Sequence, residues 1–412
     1  MDVQLASWVA GTKAGTEAQD ILRRCVHCGF CTATCPTYQL LGDERDGPRG
    51  RIYLIKDMLE GHTVTQQTQT HLDRCLTCRN CETTCPSGVA YGRLVDIGRE
   101  LVESRVSRPL LQGLLQGLLR WGLTSAWFAP AYRLGQVFRP LMPSALKAKL
   151  PRAAAPGAWP SRQHARRVLL LKGCVQPTMF PAIDAATARV LDALGFSAEV
   201  VGRSGCCGAV KQHLADAHGA LEDVRRNVDA WWPEVQKGDV AAIVVNASGC
   251  GVMVKDYGHL LKDNPAYADR AAKIAALVKD PIELLAEHQA ALVALVALVS
   301  SSGRPAQRVV YHPPCTQQHG MQIRGQVETL LKALGAELAP VTDSHLCCGS
   351  AGTYSVLQPT ISKALLARKV SALSAPSPEV ILSANVGCIG HLAGGTDIPV
   401  RHWLEWLDDR LA

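Results

Sequence analysis

The chain has 412 residues, including 43 lysines and arginines, 36 aspartates and glutamates, and 16 cysteines. This length allows about two or three domains with their own hydrophobic cores, which excludes a small scaffold stabilised mainly by disulfides. The cysteines make up about 4% of the chain, below the roughly 8 to 10% typical of a short secreted disulfide framework.

The net charge of +7 is concentrated in one segment. Residues 104–183 hold 12 basic side chains and no acidic one, whereas the rest of the chain holds 31 basic and 36 acidic side chains. Nonspecific nucleic-acid binders are basic over much of their surface, so we expect no nucleic-acid partner.

The first ten residues lack a basic start followed by an apolar core, so we expect no secretory signal and reduced thiols in the cytoplasm. No uninterrupted apolar run reaches the roughly 18 residues needed to cross a bilayer. The longest, at residues 290–299, has ten, and we interpret it as a buried helix. These features predict a cytoplasmic chain without membrane spans.

The first cysteine motif is followed by a proline and recurs 50 residues later. Its members are Cys25, Cys28, Cys31, Cys35 and Pro36, then Cys75, Cys78, Cys81, Cys85 and Pro86. The spacing C-x2-C-x2-C-x3-C-P is that of bacterial ferredoxins, in which the fourth cysteine binds the other cluster. A zinc site would need only one tetrahedral set, so the duplicated run favours iron–sulfur clusters.

We therefore predict two 4Fe-4S clusters with crossed ligand sets. The first set is Cys25, Cys28, Cys31 and Cys85, and the second is Cys75, Cys78, Cys81 and Cys35. Residues 50–60 have helical apolar spacing, so residues 1–103 are predicted to form a mainly helical two-cluster ferredoxin domain.

Residues 104–164 are predicted to be a basic amphipathic connecting segment. Leucines line one face of a helix that Pro109 can open, with Gln112, Gln116 and Arg120 opposite. These leucines are Leu110, Leu111, Leu114, Leu115, Leu118 and Leu119. The segment could lie on anionic lipid, which would make the protein peripheral on the inner face of the cytoplasmic membrane. It could instead dock partner subunits, or pack on the protein's own core. Residues 151–160 resemble a linker.

In the C-terminal half, predicted strands alternate with predicted helices. The strands are residues 167–171, 241–245, 308–311 and 379–382, and the helices are residues 183–194, 215–230, 327–334 and 360–373. This alternation predicts parallel sheets in two α/β lobes, at residues 165–288 and 308–412, joined by a helix within residues 289–307. The predicted fold class is a multidomain α+β protein.

A second cysteine repeat spans these lobes. Its members are Cys174, Cys206, Cys207 and Cys250, matched by Cys315, Cys347, Cys348 and Cys388. The first cysteine of each set follows a predicted strand, where parallel sheets place their sites. Adjacent cysteines rarely bind one ion together, whereas a multi-iron cluster can use both. These sets are a possible third and fourth metal site.

This second pattern resembles the cysteine-rich CCG domain of heterodisulfide reductase subunits and of several flavin-linked dehydrogenase complexes. In the heterodisulfide reductase version, five cysteines ending in C-x-x-C hold a non-cubane iron–sulfur cluster. Here Ala247 and Asn385 stand where the additional cysteines would be. A four-thiolate 4Fe-4S cluster, a zinc ion and a vestigial pocket remain open for each lobe.

Two ferredoxin motifs followed by two such lobes resemble the family of glycolate oxidase iron–sulfur subunits, relatives of the iron–sulfur subunit of anaerobic glycerol-3-phosphate dehydrogenase. The stretches that carry the resemblance are residues 24–41, 47–61, 247–253, 346–354 and 384–392. The resemblance implies partner subunits with FAD that oxidise glycolate to glyoxylate. It also implies that this chain transfers electrons towards quinone or another acceptor and is not catalytic alone.

The chain itself lacks the common motifs for flavin or hydrolytic chemistry. It has no G-x-G-x-x-G opening a helix after a strand, no phosphate loop and no G-x-S-x-G elbow. We therefore predict no catalytic residue here and place the flavin on another chain. The alternatives are the same role in a glycerol-3-phosphate or lactate dehydrogenase complex, or a heterodisulfide-reductase-like enzyme with chemistry in the lobes.

Several other residues have both a functional and an ordinary interpretation. His312 and His319 flank Cys315, and His213 follows a CCG turn, so each could bind metal, protonate a quinone or be a plain loop histidine. Near the first cluster loop, a basic group could raise the cluster potential, dock a flavoprotein or be a solvated patch. This group comprises Arg45, Arg49 and Arg51.

Overall fold

The computed structural model describes residues 1–143, 155–299 and 306–412. A helical N-terminal region is followed by two α/β lobes, each built on a parallel sheet of four strands. The predicted fold class is confirmed.

Short helices around one core form the N-terminal region. They are α1 (Lys13–Arg23), α2 (Phe30–Ala33), α3 (Pro36–Leu41), α4 (Pro48–Leu59), α5 (Gln66–Asp73), α6 (Asn80–Thr84) and α7 (Tyr91–Glu103). Leu22, Ile55, Leu72 and Leu94 have no exposed surface and join α1, α4, α5 and α7. Helix α4 is the one predicted over residues 50–60, with a proline in its first turn.

A buried ion cluster fixes the chain between the two cysteine motifs. Asp46 is 1% exposed and binds His71 at 2.8 Å and Arg74 at 2.9 Å, with Arg51 at 3.6 Å. Arg51 is itself 1% exposed and donates to the carbonyl oxygen of His71 at 2.7 Å. The interpretation of Arg51 as part of a solvated basic patch is therefore wrong, because its charge is neutralised inside the core.

The connecting segment contains α8 (Leu110–Thr124) and α9 (Phe128–Phe138), and Pro109 precedes α8 as predicted. The leucine face of α8 points away from the protein: Leu110, Leu114 and Leu118 are 77%, 62% and 62% exposed. Packing of this face on the protein's own core is therefore wrong for α8. The predicted linker at residues 151–160 lies partly outside the described residues.

The first lobe has strands β1 (Arg166–Leu170), β2 (Phe196–Val200), β3 (Val240–Val244) and β4 (Val278–Lys279), in the spatial order β2-β1-β3-β4. Its helices are α10 (Gln176–Met179), α11 (Pro181–Ala193), α12 (Ala209–His213), α13 (Ala217–Val235), α14 (Ser248–Lys255), α15 (Tyr257–Leu260) and α16 (Ala268–Leu277).

The second lobe has the same topology. Helices α17 (Pro281–Leu285) and α18 (Gln289–Val299) lead into strands β5 (Arg308–His312), β6 (Glu337–Leu338), β7 (Val380–Ser383) and β8 (Val400–His402), in the order β6-β5-β7-β8. The remaining helices are α19 (Gln326–Ala333), α20 (Tyr354–Leu357), α21 (Pro359–Ser374), α22 (Val386–Ala393) and α23 (Trp403–Leu411). The equal strand order shows that the cysteine repeat reflects a repeated fold.

The two lobes share one hydrophobic core. Buried residues of both sheets belong to it, and Trp403 and Leu407 of α23 lie in it beside Val190 of α11. Arg189 of α11 also forms an ion pair with Asp408 of α23, with a nearest distance of 2.6 Å. The lobes are therefore packed together as one unit rather than strung on a linker.

Residues Pro281–Val299 form a continuous helical stretch of 19 residues, within which an 18-residue window has a mean hydropathy of 1.7. By length and composition alone it could cross a membrane, a test that core helices of soluble proteins also pass. The structure buries 28% of its most apolar window. Leu292 and Val296 enter the shared core, whereas Leu298 is 74% exposed. The prediction of a buried helix at residues 290–299 is thus correct for one face only.

Candidate metal centres

The two ferredoxin-type loops have the same unusual backbone at matching positions. His27 and Thr77, which are 50 residues apart, have φ angles of 56° and 50°, and Gly29 and Arg79 have φ angles of 83° and 58°. Left-handed backbone is costly for residues other than glycine and is concentrated at functional sites. The repeated sequence therefore folds into a repeated loop whose strain the surrounding helices hold in place.

The structure brings together the four thiols predicted for the first cluster. Cys25, Cys28, Cys31 and Cys85 line one cleft, which Cys81 also reaches. Burial raises the pKa of Cys31 to about 11, and the charges of the other three thiols add to this effect. A bound metal cation would stabilise the ionised form of these thiols, because its positive charge offsets the cost of burying thiolates together.

The four thiols predicted for the second cluster also lie together, deeper in the protein. Burial raises the pKa of Cys81 well above its usual value, and so do the neighbouring thiols of Cys78, Cys75 and Cys35. Polar groups face this set: the Tyr91 hydroxyl donates to the sulfur of Cys75 at 3.8 Å. Such donors tune the electron density on cluster sulfurs.

The two ferredoxin-type motifs are paired with each other in the structure. The hydroxyl groups of Thr34 and Thr84, which are 50 residues apart, are hydrogen-bonded at 3.2 Å, and Asn80 donates to the carbonyl oxygen of Thr34 at 3.0 Å. The end of each motif thus faces the other motif. Two sets of four soft thiolate donors fit two iron–sulfur clusters.

The environments of the two loops differ sharply. In the first loop, Val26 and Phe30 are 68% and 60% exposed, and Cys28 is exposed as well. Their counterparts in the second loop, Leu76 and Asn80, are 6% and 3% exposed. One apolar face is therefore open at the first loop, while the matching face is covered at the second.

The second lobe covers the second ferredoxin-type loop. Leu76 and Cys78 pack with Cys315 and Cys347 of that lobe. Asn80 donates to the carbonyl oxygen of His345 at 3.2 Å. This contact places the second ferredoxin-type loop directly against the cysteine cluster of the second lobe.

Further hydrogen bonds hold the same junction. Thr83 and His319 bond through Oγ1 and Nδ1 at 2.9 Å, and Nε2 of His319 bonds the carbonyl oxygen of His345 at 2.9 Å. Tyr354 donates to the carbonyl oxygen of Arg74 at 2.9 Å. Because both ring nitrogens of His319 have partners, its role is to join the two regions rather than to bind metal.

In the first lobe the four repeated cysteines form a chain of contacts, each with the next. A hydrogen bond from the Cys174 thiol, and a second from Cys207, lower the pKa of Cys206 well below its usual value. Contact with Cys206 raises the pKa values of Cys174 and Cys207, and Cys207 also contacts Cys250. The adjacent turn is left-handed at Gly208, which has a φ angle of 96°.

The second lobe repeats this chain of contacts with full burial. Cys315 contacts Cys347, Cys347 contacts Cys348, and Cys348 contacts Cys388. All four are buried. The second lobe also has a histidine beside its cysteines. His312, at the end of β5, has a potential ligand atom within 4.8 Å of those of Cys348 and Cys388.

The positions of the missing fifth cysteines lie where the lobes meet. The amide of Ser248 donates to the carbonyl oxygen of Ala384 at 3.1 Å, and the amide of Gly249 donates to Oδ1 of Asn385 at 3.2 Å. Asn385 also donates from Nδ2 to the sulfur of Cys388 at 3.4 Å. At these positions the chain therefore makes contacts between lobes, and Asn385 offers an amide donor rather than a thiolate.

Of the other predicted candidates, His213 binds the carboxylate of Asp96 in the N-terminal region at 3.1 Å. Arg49 pairs with Glu44, and Arg45 pairs with Asp43. Sequence reasoning missed Asn80 and Tyr354 as contacts between the second loop and the second lobe. No local motif marks them, because their partners are more than 250 residues away.

Two family models match this chain. The model described as a 4Fe-4S dicluster domain covers residues 21–89, and the model described as a cysteine-rich domain covers residues 168–255 and 309–393. These ranges contain the two cysteine repeats.

Several curated proteins are similar over much of the chain. The glycolate oxidase iron-sulfur subunit of Escherichia coli is 49% identical over 413 aligned residues, covering 100% of this chain and 99% of that protein. The probable glycolate oxidase iron-sulfur subunit of Bacillus subtilis is 30% identical and covers 89% of this chain and 87% of its own length. Lactate utilization protein A of Exiguobacterium is 25% identical over 59% of this chain and 97% of that protein.

Proposed function

Because this chain belongs to the family of glycolate oxidase iron–sulfur subunits, we propose that it receives electrons from a flavin on a glycolate-oxidising partner and delivers them towards quinone. It is an electron-transfer subunit and is not catalytic alone. When bound, 4Fe-4S clusters supply one-electron carriers between a two-electron flavin and its acceptor.

The observation that carries the partner proposal is the open face at the first loop. Val26 and Phe30 are exposed, as is Tyr53 nearby at 50%. The matching residues of the second loop, Leu76 and Asn80, are covered by the second lobe. Large exposed apolar side chains around a cofactor loop are typical of an interaction surface. We therefore assign this face to the flavin-bearing subunit.

We retain the crossed cysteine sets as the cluster ligands. The first is Cys25, Cys28, Cys31 and Cys85, and the second is Cys75, Cys78, Cys81 and Cys35. Exposure of Cys28 supports electron entry at the first set, and burial of Cys81 supports a carrier shielded from water at the second.

We also retain the proposed division of the chain. Its parts are a ferredoxin-type domain at residues 1–103, a connecting segment at 104–164, a first lobe at 165–288, a connecting helix at 289–307 and a second lobe at 308–412. The two sheets support the lobes, and the open leucine face of α8 supports a separate role for the connecting segment.

For that segment we propose peripheral binding to the inner face of the cytoplasmic membrane. Its exposed apolar side chains are Leu110, Leu111, Leu114, Leu115, Leu118, Trp121, Trp127, Leu134, Val137, Phe138 and Leu141. No acidic residue occurs between residues 104 and 183 to repel anionic lipid. Arg105, Arg108 and Arg120 are engaged within the protein, so the apolar face is the stronger support.

The test of the partner proposal uses the full chain with the flavin-bearing subunits. Glycolate is expected to reduce the iron–sulfur signal only when those subunits are present, and Phe30→Ser with Val26→Ser is expected to slow reduction at least tenfold. Val356→Ser, which removes an exposed apolar side chain elsewhere, is the control. Glycolate-dependent dye reduction by the chain alone would refute the electron-transfer role.

The same assay separates the substrate alternatives. Glycolate, lactate and glycerol 3-phosphate are offered to the purified complex in turn. The full-length similarity favours glycolate, whereas the lactate utilization protein matches only part of the chain. Reduction by lactate or glycerol 3-phosphate but not by glycolate would assign the chain to the alternative complex.

A further inference from the structure

His312 has no hydrogen-bond partner in a fully buried position. Its side chain is 0% exposed, and neither Nδ1 nor Nε2 bonds any group among the described residues. A buried polar group without a hydrogen bond destabilises the folded protein, so buried histidines normally bond through their ring. The other two candidate histidines, His213 and His319, both have partners.

The groups nearest to His312 are thiols. Potential ligand atoms of His312, Cys348 and Cys388 all lie within 4.8 Å of one another, and the three residues are buried. They converge from the end of β5, the CCG loop and the first turn of α22.

The first lobe does not repeat this arrangement. The first three cysteines of each set are displaced by 141 residues between the lobes, and at this offset the position that matches His312 is Leu171. Cys207 and Cys250, which match Cys348 and Cys388, therefore have no imidazole at the equivalent position. The histidine distinguishes the two cysteine sets.

We propose that the second lobe holds a single Zn²⁺ ion through His312, Cys348 and Cys388. Imidazole and thiolate together are the donors zinc prefers, at about 2.0 to 2.3 Å, and ligands of one ion must lie within about 4 Å of each other. The trio is nearly this compact already. Cys347 is left outside the set, because the ligand atoms that lie within 4.8 Å of one another are those of His312, Cys348 and Cys388.

The surroundings of the trio suit a metal site. Asn385 donates from Nδ2 to the sulfur of Cys388, the type of outer contact that orients a thiolate ligand. A cleft of about 270 Å³ reaches the adjacent Cys347 from the surface, between Arg368, Lys369 and Leu346. The cleft thus connects the surface to the residue next to Cys348 in the chain.

The test measures zinc and iron in the purified full chain and the zinc-edge X-ray absorption spectrum. We expect about one zinc per chain, with nitrogen and sulfur in its first shell, beside about eight irons for two 4Fe-4S clusters. His312→Leu, which copies the first lobe, is expected to lower zinc at least fivefold. His312→Cys is expected to retain zinc and convert the shell to sulfur alone.

His319→Gln is the matched control, since this histidine of the same lobe bonds protein groups through both nitrogens. It is expected to leave the zinc content unchanged. A sulfur-only shell in the unaltered chain, a zinc-free chain with about twelve irons, or full zinc in His312→Leu would each overturn the proposal. The absorption spectrum of the unaltered chain decides the matter even if His312→Leu does not fold, and none of these results depends on glycolate turnover.

Discussion

Gln116 donates from Nε2 to the carbonyl oxygen of Leu214 at 3.2 Å, and this bond joins the polar face of α8 to the first lobe. Gln116 is 8% exposed, whereas the leucines of α8 point to the surroundings. An amphipathic helix thus packs with its polar face inward. This inversion motivates the membrane assignment, because among the residues that the structure describes Leu110, Leu114 and Leu118 remain 77%, 62% and 62% exposed.

Substitution of Leu110, Leu114 and Leu118 by serine is expected to weaken binding to vesicles of phosphatidylglycerol and phosphatidylethanolamine on the order of 100-fold. Each leucine contributes about 1 kcal/mol when partly buried in lipid. Vesicle sedimentation measures the effect, with Val356→Ser as control. Failure of the unaltered chain to bind vesicles, together with loss of the flavin-bearing subunits from the triple variant, would show that α8 docks a partner instead.

Crossed ligation predicts which cluster each fourth cysteine serves. Cys35→Ala is expected to abolish the cluster of Cys75, Cys78 and Cys81, since Cys35 lies with those thiols. Cys85→Ala is expected to abolish the other cluster. Electron paramagnetic resonance of each variant, compared with Cys78→Ala and Cys28→Ala as references for the two losses, checks the assignment. A Cys35→Ala spectrum that matches Cys28→Ala would contradict it.

The buried ion cluster predicts a large stability effect at Asp46. Asp46→Asn leaves the buried guanidinium of Arg51 without its counter-charge, and breaking a buried ion pair costs about 3–5 kcal/mol. Urea unfolding of the loaded chain measures the loss. Asp43→Asn, at a far more exposed pair, is expected to cost about 1 kcal/mol or less. Equal losses in the two variants would argue against a buried charge cluster.

Asp280 predicts a pH dependence of stability. Burial raises the pKa of this side chain to about 7, and it accepts hydrogen bonds from Ile282 and Gln317. A carboxyl group whose folded pKa is raised stabilises the fold below its unfolded pKa near 3.9, and this stability is lost as the pH rises towards 7.

Within that window the free energy of unfolding is expected to fall by up to about 1.4 kcal/mol per pH unit on account of Asp280. Glu283 strengthens the effect and Lys255 opposes it. Asp280→Asn keeps a helix-capping side chain without the charge, so it is expected to remove this contribution. Thermal midpoints at pH 5.5 and 7.5 measure it. An unchanged pH slope in the variant would assign the dependence to other groups.

The sequence predicted the centre of each sheet but not its edges. Strands β1, β3, β5 and β7 were predicted because they are continuous apolar runs buried on both faces. β4 and β6 have two residues each, and β2 is only partly buried. Edge strands of this kind show little hydrophobic periodicity in the sequence. They form because they pair with a central strand of the sheet.

The sites show the same division between local and long-range information. Spacing alone divided the 16 cysteines into four sets, because each pattern recurs along the sequence. Sequence analysis named three candidate histidines but offered no reason to prefer one of them as a metal ligand. Only the folded contacts single out His312, since the partners of His319 and His213 come from the distant N-terminal region. The contact of Gln116 with the first lobe is equally hard to predict, because its partner, Leu214, is distant in the sequence.

The shared core of the lobes has a consequence for how the protein is made. Helix α11 cannot complete its packing until α23 has been synthesised. The ribosome adds α23 about 200 residues after α11, which takes roughly 10 to 40 seconds at usual rates of synthesis. During that interval the apolar surface around Val190 is uncovered, because Trp403 and Leu407 have not yet emerged. Nascent chains are therefore expected to need chaperones in this interval, and a premature stop before α23 would send even a chain with complete ferredoxin-type loops to proteolysis.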